Sequence, residues 1–212
     1  MFQFRKGAAI TLAALCMLSP LAAGCNNDSS SNTVPESTEY VVPVPAPEDR
    51  ISESVKGAVV DAQVGKPAEY NNTEKQEKLQ VEVEAVKALD KFTNKDDNKT
   101  EILFVEMNLT NNSGKVLDLS YLTHFSTDVD GTVTDVGHSA LANSQATKYY
   151  ANTGRKLVHQ QVAAGEKISF VVALEIPSER KGLKLIYTPY KYYSNDTIDF
   201  EIKPEDIQHI AG

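Results

Sequence analysis

From residue 79 onward the chain repeats one rhythm: apolar and polar side chains alternate within runs of seven to eleven residues. In LQVEVEAVKAL, Leu79, Val81, Val83 and Ala85 share a face opposite Gln80, Glu82 and Glu84. EILFVEMNLTN places Leu103, Val105, Met107 and Leu109 on one face, and Ile102 and Phe104 weight the other. KISFVVALEIP gives Ile168, Phe170, Val172, Leu174 and Ile176; LKLIYTP gives Leu183, Leu185 and Tyr187; DTIDFEIK gives Ile198, Phe200 and Ile202. A period of two fits extended backbone and does not fit a helix, whose apolar stripe recurs every three to four residues. Several such runs parted by Asn, Gly and Pro clusters predict an all-β, antiparallel sandwich.

The punctuation agrees with that reading. TNNSGK (110–115) and AAGEK (163–167) are turns, and DVDGTV (128–133) is a hairpin on Asp130-Gly131. Pro177 closes its strand because it has no N–H for the ladder. Only Ser139 to Gly154 lacks the rhythm, and it is read as a loop or a short helical turn.

The amino terminus follows another logic. Arg5 and Lys6 precede an apolar run, Ala8 to Leu18, that only Thr11 interrupts; Ser19 and Pro20 break it before Leu21, Ala22, Ala23, Gly24 and Cys25. That order predicts a secretory signal peptide over 1–24, too short in its apolar part to span a bilayer comfortably. Small residues followed at once by cysteine resemble the lipobox of bacterial lipoproteins, in which the thiol is lipidated before cleavage. Cys25 is therefore the expected lipidation site, and a membrane lipid anchor on Cys25 the first expected partner. Cys16 falls inside the removed segment, which leaves no thiol pair for a disulfide.

Residues 25–54 comprise the lipidated cysteine and a linker of Asn, Asp, Ser, Thr, Glu and Pro, ending near VVPVPAPEDR. Such a composition buries too little apolar surface to offset its ordering entropy, so a disordered spacer is expected. It reaches roughly 90 Å when stretched and about 30 Å as a coil. The remainder, 55–212, has the length of one domain. Losing Arg5 and Lys6 moves the formal charge from −8 to −10. That balance argues against a nucleic-acid partner.

A further resemblance rests on the order of several short motifs: AQVGKPAEY, LFVEMNLTNNSGKVLDLS, HFSTDVDG, VAAGEKISFVVALEIP and GLKLIY. Together they resemble the uncharacterised domain of many Gram-positive lipoproteins, grouped with telokin-like, immunoglobulin-like sandwiches. The resemblance covers roughly 58–202 and implies an immunoglobulin-like β-sandwich on the outer face of a cell membrane. That family supplies no catalytic or binding residues to carry over.

Candidate chemistry is sparse. Asp128, Asp130 and Asp135 do not keep the calcium-loop spacing, and they read as a solvated hairpin. His124, His138, His159 and His209 show no zinc-ligand spacing; His124, alternating with Phe125, is placed on the polar face with Ser126 and Asp128. No serine lies in G-x-S-x-G or S-x-x-K. No enzyme, metal or cofactor is therefore expected, although a serine–histidine pair meeting in space would reopen hydrolysis. The distinctive stretch is YTPYKYYSND: Tyr190, Tyr192 and Tyr193, with Tyr149 and Tyr150 in the irregular segment, form the candidate binding surface. Tyrosine combines a broad apolar ring with a polar tip at low entropy cost, which suits recognition of a protein partner at the cell envelope. The alternative is a small-molecule or metal-binding envelope lipoprotein.

Overall fold

The computed structural model describes residues 57–90, 99–191 and 194–211. The proposed signal peptide, Cys25 and the linker lie outside the described residues, as do Tyr192 and Tyr193.

The described residues form twelve strands, one α-helix and a short 3-10 turn, Pro204–Asp206. Strands β1 (Val59–Gln63), β11 (Thr197–Glu201), β10 (Leu183–Tyr187), β6 (Phe125–Val129) and β7 (Thr132–Asp135) form one sheet in that order. The second sheet runs β12 (Ile207–Ala211), β3 (Glu77–Asp90), β4 (Thr100–Asn111), β9 (Lys167–Pro177), with β2 (Ala68–Asn72) on the other half of β3. A two-stranded ribbon, β5 (Leu117–Ser120) with β8 (His159–Val162), completes the strands. The alternating residues of both sheets meet in one core, where Leu185 and Phe200 face the side of Val81 and Val105. Phe125 of the first sheet touches Phe170 of the second, with ring centroids 6.0 Å apart. The architecture is an antiparallel β-sandwich with two departures: the edge strands β1 and β12 run parallel to β11 and β3.

The long strands show how local chemistry becomes packing. β4 buries both faces: Leu103, Val105, Met107 and Leu109 enter the inter-sheet core, while Ile102 and Phe104 join a second cluster on the outer face. β3 corrects the expected alternation. Val83 pairs with Met107 and Ala85 with Glu106, so Glu84 is an extra residue in a bulge. One inserted residue flips every later side chain to the opposite face. Val86 and Ala88, not Ala85, therefore continue the core. The Asp130-Gly131 hairpin forms with φ of 52° and 86°, positive at both central residues, as a two-residue β-turn of this hand requires. Asp130 Oδ1 also accepts from the amides of Lys181 (2.9 Å) and Gly182 (2.8 Å). Asp128 Oδ1 accepts the Gly131 amide at 2.8 Å, so both aspartates spend an oxygen on chain geometry, whereas Asp135 holds the Ser126 hydroxyl and Lys191.

The irregular segment resolves into helix α1, Ala140–Tyr149. Ser139 caps it by accepting the Ala142 amide at 3.0 Å, a bond that contributes about 1 kcal/mol. Ala142 and Ala146, one turn apart, press onto β4 and β9 and close the outer cluster. Tyr150, just past the helix, is only 3 % exposed, and its hydroxyl donates to Glu106 at 2.8 Å. Burial first, then that carboxylate, push the Tyr150 phenol well above its ordinary range. Tyr149 keeps 39 % of its surface and stands edge-on to Tyr150 at 4.9 Å.

Candidate functional site

A groove of about 730 Å³ opens at one end of the sandwich. One wall is β5 with the residue before it: Val116, Leu117 and Asp118. The opposite wall is Pro189, Tyr190 and Lys191. The turn between β2 and β3, carrying Glu74 to Glu77, closes a third side.

Each wall has a local cause. The turn before β5 is organised by Asn111, wholly buried, whose amide donates to the carbonyls of Lys115 (2.7 Å) and Val162 (3.0 Å) while its oxygen accepts from Ser113. A buried side-chain amide that satisfies main-chain groups in this way substitutes for missing ladder bonds. Tyr190 leans on Tyr70 with ring centroids 6.2 Å apart. Its hydroxyl lies against Ser113 without a hydrogen bond of standard geometry, and burial, then the Glu77 charge, raise its pKa. The Tyr70 hydroxyl donates to Asp196 at 2.8 Å. Burial alone would raise the Asp196 carboxyl, but bonds from Tyr70, Ser194 and the Ala58 amide outweigh it and hold it low. Beneath lies Tyr187, fully buried and stacked on Phe125 at 5.0 Å; its hydroxyl has no partner among the described residues.

The structure corrects the expectation for His124. The chain bends between β5 and β6, and His124 is 5 % exposed at the floor of the groove. The Ser120 amide donates to its Nδ1 at 3.2 Å, and the Thr123 hydroxyl lies 2.9 Å from the same atom. Nδ1 also lies 3.3 Å from the Ser120 carbonyl, so the 120–123 turn holds the ring through Nδ1, while Nε2 has no partner among the described residues. Burial pushes the His124 pKa down; the bond with the Ser120 backbone opposes it, and the lesser Lys191 charge adds to the lowering against that of Asp118. Stability therefore stays level above the ordinary histidine range and falls as pH drops below about 6.5, because the unfolded chain takes the proton first. The depressed carboxyls of Glu84, Asp135 and Asp196 act at lower pH, through the carboxylate range. Urea midpoints between pH 7.5 and 5 should decline for the native chain and flatten in His124→Gln; an equal slope in both would reject this assignment.

A serine and a histidine do meet. Ser120 Oγ lies 2.9 Å from His159 Nδ1, beside a shallow hollow that His124 also lines. Acyl transfer needs amides free to hold an oxyanion. Here the N–H groups of residues 120 to 124 are spent on His124 Nδ1, Val158 O, Ser120 Oγ and, twice, Ser120 O. The pair is built into a tight turn whose donors are already used.

Of the five candidate tyrosines, Tyr190 lines the groove, and Tyr192 and Tyr193 lie outside the described residues. Tyr149 and Tyr150 pack in the outer-face cluster with Phe104, whereas Tyr190 packs against the inter-sheet core, so the structure does not join the two sets. His138, His159 and His209 are exposed. Among the described residues, no three His, Cys, Asp or Glu side chains are grouped to hold a metal ion, and no helix is long and apolar enough to cross a membrane. Val116, Asp118 and His124 carried no local sequence mark, because the groove is assembled by residues far apart in the chain.

Comparison with known proteins gives a family model, described as Domain of unknown function (DUF4352), that matches residues 68–198. No curated protein matches the chain. Among solved structures, the ycdA protein of Bacillus subtilis is similar at 16 % identity and a TM-score of 0.45, over 62 % of this chain and 39 % of that one. The chain thus spans about two fifths of that protein's length. MPT63, a secreted protein of Mycobacterium tuberculosis, matches at 11 % identity and a TM-score of 0.46, over 68 % of this chain and 97 % of its own. An uncharacterised β-sandwich protein of Clostridium difficile 630 matches at 9 % identity and a TM-score of 0.40, over 70 % and 97 %.

Proposed function

The chain belongs to the family described as Domain of unknown function (DUF4352), and from that footing we propose that it is a lipid-anchored envelope protein whose sandwich binds another protein at the groove beside Tyr190. The reading treats it as a binding module, of the telokin-like, immunoglobulin-like kind, held on the outer face of the membrane through Cys25. One observation carries the binding role: a concave surface with an apolar middle and a charged rim. Half-buried Tyr190 and Val116, which is 57 % exposed, line it, and Glu74, Lys75, Lys115, Asp118 and Lys191 border them. Interfaces that exclude water at an aromatic centre and keep a polar border have this anatomy. The leader over 1–24, followed at once by Cys25, supports the location.

The full chain and a Tyr190→Ser, Tyr192→Ser, Tyr193→Ser variant, each used to capture partners from envelope extract, test the reading. Truncating an interface tyrosine costs about 2 kcal/mol, roughly thirtyfold in Kd. Recovery of the partner, identified by mass spectrometry, should drop accordingly while the unfolding midpoint stays within the native range. Unchanged recovery in the folded variant would retire this surface.

A second reading is favoured by the groove's volume and by His124 in its lining: a small-molecule site, since such pockets enclose about 300–1,000 Å³ with few polar groups. A saturable rise in melting temperature with cell-wall fragments or oligosaccharides would select it over protein binding.

A further inference from the structure

We infer that the groove's recognition element is the free edge of β5, to which a partner adds an extended strand; the inference rests on the protein-binding reading of the groove and names what is bound there. Among the described residues β5 pairs only with β8. The Tyr121 amide donates to Val158 O at 2.8 Å, which sets the side facing β8. The Ser120 amide goes the other way, to His124 Nδ1, and the Ser120 carbonyl accepts the amides of Thr123 and His124. Main-chain groups along an antiparallel strand alternate sides. Those of Asp118 and Val116 therefore share the side of Ser120, where the groove lies.

An edge with unpaired N–H and C=O groups is a template for another strand. Ser120, already satisfied by the 121–124 turn, ends the template and fixes its register. The four residues of β5 extend about 13 Å, room for a short segment bonded through alternate residues. The rim does not select by charge, since Lys75, Lys115 and Lys191 balance Glu74, Glu77 and Asp118. Lys115 Nζ is also committed to the Lys75 carbonyl at 2.6 Å. Tyr190 and Val116 offer apolar contact beside the His124 ring. The occupant this chemistry fits is an extended, uncharged peptide segment of a partner protein, with apolar side chains on alternate positions.

The probe is a random dodecapeptide library displayed on phage and selected on the full chain. The tightest peptide is then synthesised unmodified and with N-methyl groups on alternate amides, in each of the two phases. Strand addition uses one phase only. One methylated form should bind at least tenfold more weakly and the other should match the parent. Exchange of the Asp118 amide should slow on binding, and Asp118→Pro should weaken binding while Asp118→Ala does not. The peptide series leaves the protein untouched, so it decides the matter even if Asp118→Pro fails to fold. Equal binding by all three peptides, or no peptide enriched, overturns strand addition. If the peptides bind equally but Tyr190→Ser still weakens them, the groove reading stands without it. Indifference to Tyr190→Ser as well removes both.

Discussion

Phe125→Ala is expected to lower the unfolding free energy by about 3–5 kcal/mol, the cost of emptying a large buried aromatic site. Phe125 is wholly buried, stacked on Tyr187 of its own sheet at 5.0 Å and in contact with Phe170 across the sandwich. Its neighbours are held by sheet ladders on both sides and cannot close around the space, so transfer and cavity costs both apply. A domain has only about 5–15 kcal/mol to lose. The change therefore removes from about a fifth to all of a typical stability. Urea unfolding should show a lower midpoint with an unchanged slope, which separates lost stability from a changed unfolded state. A loss below about 1 kcal/mol would mean that the two sheets do not depend on this contact.

Cys25→Ser should abolish acylation. A thioether needs the sulfur, and a serine oxygen in its place is no substrate for the transfer that resembles lipobox processing. Each buried methylene contributes about 0.8 kcal/mol and one chain alone holds weakly, so the proposed anchor would need two or more chains on Cys25. Labelled palmitate should enter the native chain, fall to background in Cys25→Ser and persist in Cys16→Ser. Label retained in Cys25→Ser would end the lipoprotein reading.

The strands were legible because each carries its own period: Leu103 to Leu109 and Phe170 to Ile176 alternate without help from distant residues. The β3 bulge was not, since LQVEVEAVKAL accommodates Ala85 or Val86 inward and only the pairing with β4 decides. Helix α1 buries two alanines one turn apart, too small a stripe to stand out in sequence. The parallel edges β1 and β12 depend on partners more than 100 residues away. His124 alternates with Phe125 on paper, but the tight turn at Ser120 rotates it inward. The tyrosines divided by context: Tyr150 found a carboxylate, Glu106, on the outer face, whereas Tyr190 found a ring, Tyr70, at the sandwich end. Composition alone cannot distinguish those fates.

Gly57 lies so close to the main chain of Asn195 that a methyl group there would sit 2.0 Å from its carbonyl carbon. The next amide, Ala58, is bonded at 2.7 Å to Asp196, whose other oxygen holds Tyr70, the ring on which Tyr190 leans. The Gly57–Ala58 entry to the domain and the aromatic wall thus share one joint, Asp196. Were the chain held from its amino-terminal side as proposed, a guest seated in the groove would stiffen the same point that took the load.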